Sequence, residues 1–548
     1  WGGTSHTAGI RTHVLNILFR MKSVSDHGNW KLIIDILDTH KNRPPYFKVT
    51  VNGKSWKYIL PKGGGDESLT GNYDKIKRHA IEILLDPALI KKGGNEINLT
   101  NLEGSWLIFD DIRLEGPANA NMDKTTGPAY LRGVEVADYQ LPEISSQPLL
   151  VDLEHLYGSS NVEVKVDGKT ILEQVLEQGR YILEAPMPAV TSQQKSRYTI
   201  LIDGRVVEKG SVIRTPKKDM TAADYIDTRM GTAHSRWMIA PGSWMPFSMV
   251  KLSPDNQNPG WQAGYEPSFE SIGTFSHIHE WTMAGLGIMP VNGPLKTKIG
   301  DQSIFKKDTL SYRSLIDKQS EEAKVGYYKA DLTDYNIKAE LTSTTRCGFQ
   351  RYSYPPGTDS RVMIDLKVPS EYRFDILEAK INRVSSRRIE GYSKQQSKKV
   401  WSSDVNQDYV IYFVIEFDRD IMNFGGWVNN EILNEEEIYA ESPEIMGCFA
   451  EFDTRRNQVV QVRSGISYVD MDGASNNLNA EITRPFNWNF DAIRDSHRQA
   501  WNDILSRIYI QSNDKREKQR FYTNMYRSCC RNMFSDVDGR WVIPMRWL

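Results

Sequence analysis

The stretch Tyr409-Val410-Ile411-Tyr412-Phe413-Val414-Ile415-Glu416-Phe417 decides the fold class of this chain. Apart from one glutamate, every residue in it is aromatic or β-branched. Such a continuous run is typical of a β-strand that is buried on both faces. Strand-like runs are also frequent in the sequence around it. The pattern therefore predicts a large antiparallel β-sandwich over residues 219–488.

The sequence before this sandwich also predicts β-structure. Over residues 1–117, short apolar or alternating runs are separated by turns that contain Gly, Asn or Pro, which predicts another β-sandwich. Residues 118–147, which follow a Gly-Pro step, are interpreted as a linker-like stretch. Residues 148–218 contain strand runs and Asp-Gly turns suited to hairpins, so we predict a small immunoglobulin-like β-sandwich that acts as a spacer.

Beyond Asp491 the spacing of apolar residues becomes that of helices. Ile493, His497, Trp501 and Leu505 recur every fourth residue, which predicts a helix, and residues 515–530 have the pattern of a second one. Residues 489–548 are therefore predicted to be helical. The expected fold class is mainly β and multidomain, with helices at the C-terminal end.

Aromatic and histidine side chains are concentrated in one part of the large sandwich. Gly260-Trp261-Gln262-Ala263-Gly264-Tyr265 is followed shortly by Ser276-His277-Ile278-His279-Glu280-Trp281. A sugar ring offers C–H faces that stack on aromatic rings and hydroxyls that need hydrogen bonds once they leave water. This combination of residues therefore indicates a carbohydrate-binding cleft.

The same region carries a family resemblance. The motifs, in chain order, are Asp224-Tyr225-Ile226-Asp227, Gly231-Thr232, Ala240-Pro241-Gly242, Trp261, Gly264-Tyr265, Ser276-His277, His279, Gly465-Ile466-Ser467, Gly473-Ala474, Asn477-Leu478 and Phe534-Ser535-Asp536-Val537-Asp538-Gly539-Arg540. This order resembles glycoside hydrolase family 92 over roughly residues 222–541. The resemblance implies a β-sandwich followed by an (α/α)6 barrel, and a calcium-dependent exo-α-mannosidase that works with inversion.

The resemblance also implies where the chemistry is. The family's catalytic acid and base, and most ligands of its Ca²⁺, come from the barrel, and we expect them beyond residue 548. Neither the catalytic residues nor a metal site can be assigned in this sequence. The expectation is a fragment of a larger enzyme, inactive alone because most of the barrel is missing.

Several residues are candidates for contacts with the sugar. Trp261 and Tyr265 would stack on it, or pack in the core. His277 and His279, at i and i+2, would share one strand face and contact the sugar, brace the cleft or, less simply, bind a metal. Glu280 would bind sugar or pair with an arginine such as Arg236. The full candidate set is Gly231, Thr232, His234, Trp261, Gly264, Tyr265, His277, His279, Glu280, Trp281, Asp536 and Asp538.

Three departures and alternatives stay open at this point. Glu280-Trp281 and Glu266-Pro267 differ from the family pattern, so linkage and sugar preference are undecided. Gly231-Thr232 and its neighbour His234 form either a loop close to the sugar or simply a tight turn. Asp536 and Asp538 have a turn or helix-capping role as the alternative to sugar contact.

Residues 1–117 resemble the C-terminal jelly-roll domain of polysaccharide lyase family 4, notably at Phe109-Asp110-Asp111-Ile112-Arg113-Leu114-Glu115. That resemblance implies a carbohydrate-binding domain for plant or microbial polysaccharide. The alternative function for the whole chain is therefore a non-catalytic carbohydrate-binding or scaffold protein.

Composition excludes other classes of function. A formal net charge of −2 over 548 residues does not suit a nucleic-acid-binding protein. The sequence contains no apolar run of about 18 residues, so no membrane span is predicted. The four cysteines lack zinc-ligand spacing and are interpreted as core residues. Because glycan polymers are met outside the cytoplasm, we expect a secreted or periplasmic protein.

Overall fold

The computed structural model describes residues 14–25, 27–123, 127–232, 239–256, 264–280, 283, 285–304, 308–370, 373–397 and 406–542. The chain is mainly β, as the sequence predicts, and forms two compact units. The first unit contains Trp1–Thr221 and Tyr509–Arg520, and the second contains Ala222–Ile508 and Phe521–Leu548. Residues 509–520, predicted as part of the helical C-terminal region, thus cluster with the first unit.

The first unit begins with two packed sheets. Their strands are β1 (Val14–Ser23), β2 (Trp30–Thr39), β3 (Tyr46–Val51), β4 (Lys54–Ile59), β5 (His79–Leu85), β6 (Gly93–Glu103), β7 (Leu107–Glu115) and β8 (Asn121–Asp123), with a short helix α1 (Asp66–Leu69). One sheet has the order β4-β3-β6-β1-β8 and the other β5-β2-β7. Side chains from both, such as Phe47 and Phe109, meet in a common core, which makes a β-sandwich.

A second sandwich follows in the same unit. Its strands are β9 (Ala129–Val136), β10 (Tyr139–Gln140), β11 (Ser146–His155), β12 (Ser160–Val166), β13 (Lys169–Leu176), β14 (Gly179–Pro188), β15 (Gln194–Ile202), β16 (Arg205–Arg214) and β17 (Lys218–Asp219). The sheets β14-β11-β9 and β13-β12-β15-β16 share one core.

Residues 118–147 differ from the predicted linker. β8 pairs with β1 of the first sandwich, and β9 pairs with β11 of the second. Tyr130 on β9 is buried, and its hydroxyl oxygen lies 2.9 Å from the carbonyl oxygens of both Phe19 and Asn95, to either of which it can donate. Between the strands lie Asn119, Gly127, Pro128 and Pro142, so composition alone could not separate a linker from turns that join edge strands.

The second unit contains the large sandwich. Its strands are β18 (Ser243–Trp244), β19 (Lys251–Asp255), β20 (Ser271–Ile272), β21 (Thr274–Ser276), β22 (Gly287–Val291), β23 (Ser314–Leu315), β24 (Glu322–Lys324), β25 (Tyr327–Leu332), β26 (Ile337–Ser343), β27 (Cys347–Ser353), β28 (Ser360–Asp365), β29 (Phe374–Ser385), β30 (Arg388–Ser397), β31 (Gln407–Phe417), β32 (Asn423–Val428), β33 (Glu431–Leu433), β34 (Glu437–Glu441), β35 (Met446–Phe452) and β36 (Val459–Ser467).

These strands form two facing sheets and a small pair, β20-β23. The β28 sheet has the order β18-β19-β21-β22-β28-β35-β32-β33, and the β31 sheet has the order β24-β25-β26-β27-β36-β31-β30-β29-β34. β31 contains the stretch quoted first. Its residues Ile411, Phe413 and Ile415 enter the core between the sheets, whereas Val414 faces the other side and is buried there as well. The central part of β31 is thus buried on both faces, as predicted.

Helices cover the outer face of the β31 sheet. They are α2 (Met471–Leu478), a π-helical turn (Asn479–Thr483) and α3 (Phe490–Leu505). The chain continues in α4 (Lys515–Cys529), whose first residues cluster with the first unit. Side chains of α2 and α3 pack with Phe349 and Val414 in a second core. The carboxylate of Asp470 caps α2 through the Gly473 amide at 2.7 Å, and the side chain of Asn489 caps α3 through the Ala492 amide at 3.1 Å.

The helical spacing predicted for α3 is confirmed, since Ile493, His497, Trp501 and Leu505 are all buried. None of the helices described here is long and apolar enough to cross a membrane. The four cysteines are free; Cys347 and Cys448 are buried, and Cys529 and Cys530 are half-buried.

Candidate functional site

Glu280 is the candidate carboxylate that bonds to the described part of the protein through only one of its two oxygens. Its Oε1 accepts a hydrogen bond from Lys251 Nζ at 2.6 Å, and the side chain remains 28% exposed. Lys251 lies on β19 with only 6% of its side chain exposed, and its ammonium group is 5.1 Å from the ring centroid of Trp244. No described residue bonds to Glu280 Oε2. A buried ammonium thus fixes one carboxylate oxygen, and no residue in the described part of the chain occupies the other.

The described partner of Glu280 is a lysine. The sequence suggested an arginine such as Arg236, which lies outside the described residues, whereas the structure brings Lys251 to the carboxylate. The aromatic rings of Tyr468 and Phe534 lie close by, 5.6 Å apart between centroids. Burial, then the Tyr409 hydroxyl and the Glu280 charge, raise the pKa of Tyr468 well above its usual value. Tyr468 is therefore a neutral hydroxyl near the carboxylate.

His277 and His279 are buried and bonded to the protein. The predicted shared strand face does not form, because β21 ends at Ser276 and His279 has a positive φ of 52°. Nδ1 of His277 lies 3.0 Å from the Leu286 carbonyl oxygen and must donate to it, so Nε2, at 2.7 Å from Ser464 Oγ, accepts. Burial lowers the pKa of His277 to about 4. This histidine is neutral and braces the sandwich.

His279 also bonds within the protein, on the segment that leads from β21 to Glu280. Its Nε2 lies 3.2 Å from the Ser253 carbonyl oxygen and 2.9 Å from Ser276 Oγ, so this nitrogen carries the proton. The ring packs against Trp244 at 6.4 Å between centroids. Burial lowers the pKa of His279 to about 3. Both histidines thus hold the segment that carries Glu280.

Gly264 and Tyr265, the last residues of the first aromatic motif, are the part of it that the structure describes. Gly264 has a φ of 101° and accepts a hydrogen bond from the Asn256 amide at 2.8 Å. Tyr265 is 2% exposed, and its hydroxyl donates to Glu321 Oε1 at 2.7 Å. Lys318 Nζ lies 3.0 Å from the same hydroxyl. The structure thus gives Tyr265 the packed position with a satisfied hydroxyl that was the alternative to sugar stacking.

Gly231 and Thr232 form a tight turn. The hydroxyl of Thr232 donates to the Arg229 carbonyl oxygen at 2.7 Å, and Gly231 has a φ of 87°. Gly231 is exposed and Thr232 is buried. The candidates Trp261, Trp281 and His234 lie outside the described residues.

Asp536 is held by a cluster of motif residues. Its Oδ2 accepts from Ser467 Oγ at 2.7 Å, and its Oδ1 accepts from Asn477 Nδ2 at 2.8 Å. Asn477 Oδ1 in turn accepts from the Val537 amide at 2.9 Å. A Cβ on Gly473 would be 2.2 Å from Asp536 Oδ2, so only glycine allows this approach. The cluster attaches the turn after Phe534 to α2 and to the end of β36.

Asp538 is exposed and belongs to the turn itself. It accepts hydrogen bonds from the amide and from Nε of Arg540, at 3.0 and 2.7 Å. Arg540 also pairs with Asp470, the capping residue of α2. The contacts of Asp536 and Asp538 therefore fit a role in the turn, which was the alternative to sugar contact.

The described residues do not fit a calcium site. Ca²⁺ takes six to eight oxygen ligands, several of them carboxylates. Both oxygens of Asp536 accept hydrogen bonds from protein donors, and Asp538 is bonded to Arg540. Among the residues that the structure describes, no three His, Cys, Asp or Glu side chains are grouped as a metal ion would need.

Sequence reasoning missed the residues that organise this region. Lys251, Trp244 and Tyr468 come from separate strands or loops and carry no local signal. Ser467, Gly473 and Asn477 were present in the motif order without a role, and only their contacts with Asp536 reveal one. Ser467 is 69 positions and Asn477 is 59 positions from Asp536, so nothing in the sequence indicated that they share a site.

Comparison with known families gives two adjoining matches. Residues 225–467 match the family described as glycosyl hydrolase family 92 N-terminal domain. Residues 473–545 match glycosyl hydrolase family 92 catalytic domain. The first match ends with β36 and the second begins inside α2, which is where the sandwich gives way to helices.

Three known proteins or structures are similar to the chain. An uncharacterized secreted glycosidase of Arthroderma benhamiae is 23% identical over 328 residues, which covers 56% of this chain and 41% of the relative. A family GH92 alpha-mannosidase structure from Bacteroides thetaiotaomicron matches with a TM-score of 0.52 and 24% identity, over 59% of this chain and 43% of that one. Its complex with mannoimidazole gives the same TM-score and identity, over 59% and 42%.

The chain spans about two fifths of the length of these relatives. At this identity, the structural match establishes a common fold. The two family matches together cover more than half of the sequence. They include the large sandwich, the Asp536 cluster, α3, α4 and most of α2. The chain therefore belongs to glycosyl hydrolase family 92.

Proposed function

We propose that the protein containing this chain is a secreted or periplasmic glycosidase that removes terminal α-linked mannose from glycans. The observation that carries the proposal is the half-exposed Glu280 carboxylate, held by Lys251 next to the rings of Trp244 and Tyr468. Family membership supports glycoside hydrolysis. The similarity to an alpha-mannosidase, also known in complex with mannoimidazole, supports mannose as the sugar.

Glu280 would bind and orient the sugar. Lys251 fixes Oε1, so Oε2 can accept a hydrogen bond from a sugar hydroxyl. Hydrogen bonds to an ionised acceptor are shorter and about twice as strong as neutral ones. The buried ammonium keeps the carboxylate oriented before the ligand arrives, which lowers the entropy lost on binding. The role of Glu280 is thus positioning of the substrate.

We propose further that hydrolysis proceeds with inversion, with acid and base supplied by residues other than these. Inversion needs two carboxyl groups roughly 6.5–9.5 Å apart, with water between the base and the sugar. Asp536 and Asp538 are engaged by protein donors, and Glu280 is paired with Lys251. Calcium dependence is also part of the proposal. Its ligands would lie outside the described residues, and no step is assigned to the ion.

The test is release of mannose from α-1,2-mannobiose, with Ca²⁺ and then with a chelator. We expect negligible turnover from the 548-residue chain, and turnover that chelation abolishes from a longer chain of the relatives' length. NMR of the first product should show β-mannose, the inverted anomer. In the longer chain, Glu280→Gln should raise KM, with Asp538→Asn as the matched control. Release of another sugar but no mannose would contradict the proposal.

A non-catalytic carbohydrate-binding protein is the second candidate. The engagement of Asp536 and Asp538 in hydrogen bonds within the protein favours it. In that case the longer chain should bind mannosides without hydrolysing them. Residues 1–117, which resemble a jelly-roll domain, would then be the polysaccharide-binding module. On a glycan array, the whole chain should therefore bind polysaccharides that a chain without residues 1–117 does not bind.

A further inference from the structure

A cleft of about 750 Å³ lies on the outer face of the β31 sheet, away from Glu280 and Asp536. The helical cover of this face, formed by α2 and α3, leaves the adjoining ends of β26, β27 and β36 open. The segment 486–491, just before and at the start of α3, forms the opposite wall. The volume is within the range of small-molecule sites, about 300–1,000 Å³.

Side chains of three neighbouring strands form the floor. In the strand register, Lys338 pairs with Ser353 and Ser353 with Val459. In the next row, Glu340 pairs with Arg351, and Arg351 with Gln461. Since alternate residues of a strand point to the same face, these two rows lie side by side on the surface. The side chains of Ser353 and Gln461 make no hydrogen bond to any residue in the described part of the chain.

The charges of the cleft are paired with one another. Arg351 donates to both oxygens of Glu340, at 2.8 and 2.9 Å, and to Asp491 at 3.3 Å. Lys338 Nζ lies 3.5 Å from Glu340. Burial alone would raise the pKa of Glu340, but the hydrogen bonds and charge of Arg351 outweigh it and lower the pKa. The two cations and two anions balance, so the cleft has no excess charge to attract an ion.

Aromatic rings form the wall and are held in place. The Arg463 guanidinium lies 4.1 Å from the ring centroid of Trp488, and the Arg351 guanidinium lies 4.2 Å from that of Phe490. Arg463 also donates to the carbonyl oxygen of Asn487 at 3.2 Å. Phe490 is buried, whereas Trp488 and Phe486 are half-buried and line the opening. The wall is therefore an apolar surface, packed against the protein behind it, that faces two polar side chains with no hydrogen bond to a described residue.

We propose that this cleft is a second, non-catalytic binding site for a neutral oligosaccharide. The apolar wall of Trp488 and Phe486 would contact the C–H face of a sugar, and Ser353 and Gln461 would bond its hydroxyls. The balanced charges exclude an anionic ligand as the preferred one. The choice of a glycan rests on the proposed function, but binding here needs no turnover. The site would hold a polymer on the enzyme while its end is processed elsewhere.

The test is affinity electrophoresis of the 548-residue chain in gels that contain mannan, a neutral β-glucan or anionic polygalacturonate. We expect retardation by at least one neutral polysaccharide and none by the anionic one. Ser353→Ala combined with Gln461→Ala should weaken the apparent affinity at least about tenfold. Trp488→Ala should also weaken the apparent affinity, but this substitution removes packing against Arg463 as well. The test of the proposal is therefore the double variant of Ser353 and Gln461.

The matched control is Lys394→Ala, an exposed residue of β30 in the same sheet. It should bind as the parent chain does. The proposal is overturned if the double variant binds like this control, if the parent binds neither neutral polysaccharide, or if it binds only the anionic one. Mannose release by the longer chain is measured separately, so a failure of the proposed function is distinguishable from a failure of the cleft.

Discussion

Glu280 and Asp536 are two carboxylates near the same end of the large sandwich, and their surroundings are opposite. Among the described residues, the Glu280 carboxylate bonds only to Lys251, and the side chain is 28% exposed. Asp536 is 2% exposed and accepts hydrogen bonds from Ser467 and Asn477 within a space that Gly473 leaves open. A carboxylate whose oxygens are satisfied by the protein holds the fold, whereas one with an open oxygen can bind a ligand.

The largest loss of stability is expected from a substitution that displaces the Asp536 carboxylate from its donors. In Gly473→Ala, the new Cβ would lie 2.2 Å from Asp536 Oδ2 and 2.7 Å from Ser467 Oγ, so the carboxylate must leave its donors. Alanine in a helix is favoured by about 1 kcal/mol over glycine. We nevertheless expect a loss of about 3 kcal/mol in the free energy of unfolding, measured by chemical denaturation. Asn476→Ala, exposed on the same helix, should be neutral or slightly stabilising. A stabilised Gly473→Ala would contradict the packing described.

Asp536→Asn should have the next largest effect. Asn477 Oδ1 accepts from the Val537 amide, so its Nδ2 must donate to Asp536. The new amide would have to turn its N–H group toward Ser467 Oγ, which would then accept instead of donate and already accepts from the Val469 amide. We expect a loss of about 2 kcal/mol in the free energy of unfolding. The control is Asp538→Asn in the exposed part of the turn, which should leave stability unchanged. Equal losses in the two variants would remove the distinction between them.

Acidification should lower the stability of the protein through His277, which holds the segment that carries Glu280. The pKa of His277 is about 4 in the fold, below its value of about 6.5 in the unfolded chain, so the unfolded state binds more protons between these pH values. The free energy of unfolding should therefore fall as pH decreases from about 6.5 to 4, by up to about 1.4 kcal/mol per pH unit for this histidine.

His277→Gln sharpens this test. Glutamine can still donate to Leu286 and accept from Ser464, but it does not titrate. The variant should be less stable than the parent at pH 7.5, yet lose less stability on acidification. A pH titration of the free energy of unfolding for both chains gives the comparison, and parallel curves would show that His277 is not the titrating group.

The smallest effect on stability is expected for Glu280→Gln. The amide oxygen can still accept from Lys251, and Trp244 still faces the ammonium group. We expect a change below about 1 kcal/mol in the free energy of unfolding. Binding of a mannoside to the longer chain should nevertheless weaken about tenfold, measured by calorimetry. A large loss of stability with unchanged binding would make Glu280 a structural residue like Asp536.

Local patterns predicted the elements that depend on neighbouring residues. The apolar run in β31 and the spacing of Ile493, His497, Trp501 and Leu505 in α3 both gave the observed element. Local patterns gave the wrong element where the chain turns or where a strand pairs with a distant partner. The i, i+2 spacing of His277 and His279 suggested a strand, but β21 ends at Ser276. Residues 118–147 suggested a linker, but their strands pair with distant partners that no local signal identifies.

The sequence by itself determined the mainly β class, the helical C-terminal region and, through the order of its motifs, the family. These features follow from periodicity and from residue identity along the chain. Only the tertiary structure decided which carboxylate is open, because Lys251 reaches Glu280 across 29 positions and Ser467 reaches Asp536 across 69. Burial and hydrogen bonding are properties of residues brought together in space, so they determine chemical roles that adjacent residues cannot encode.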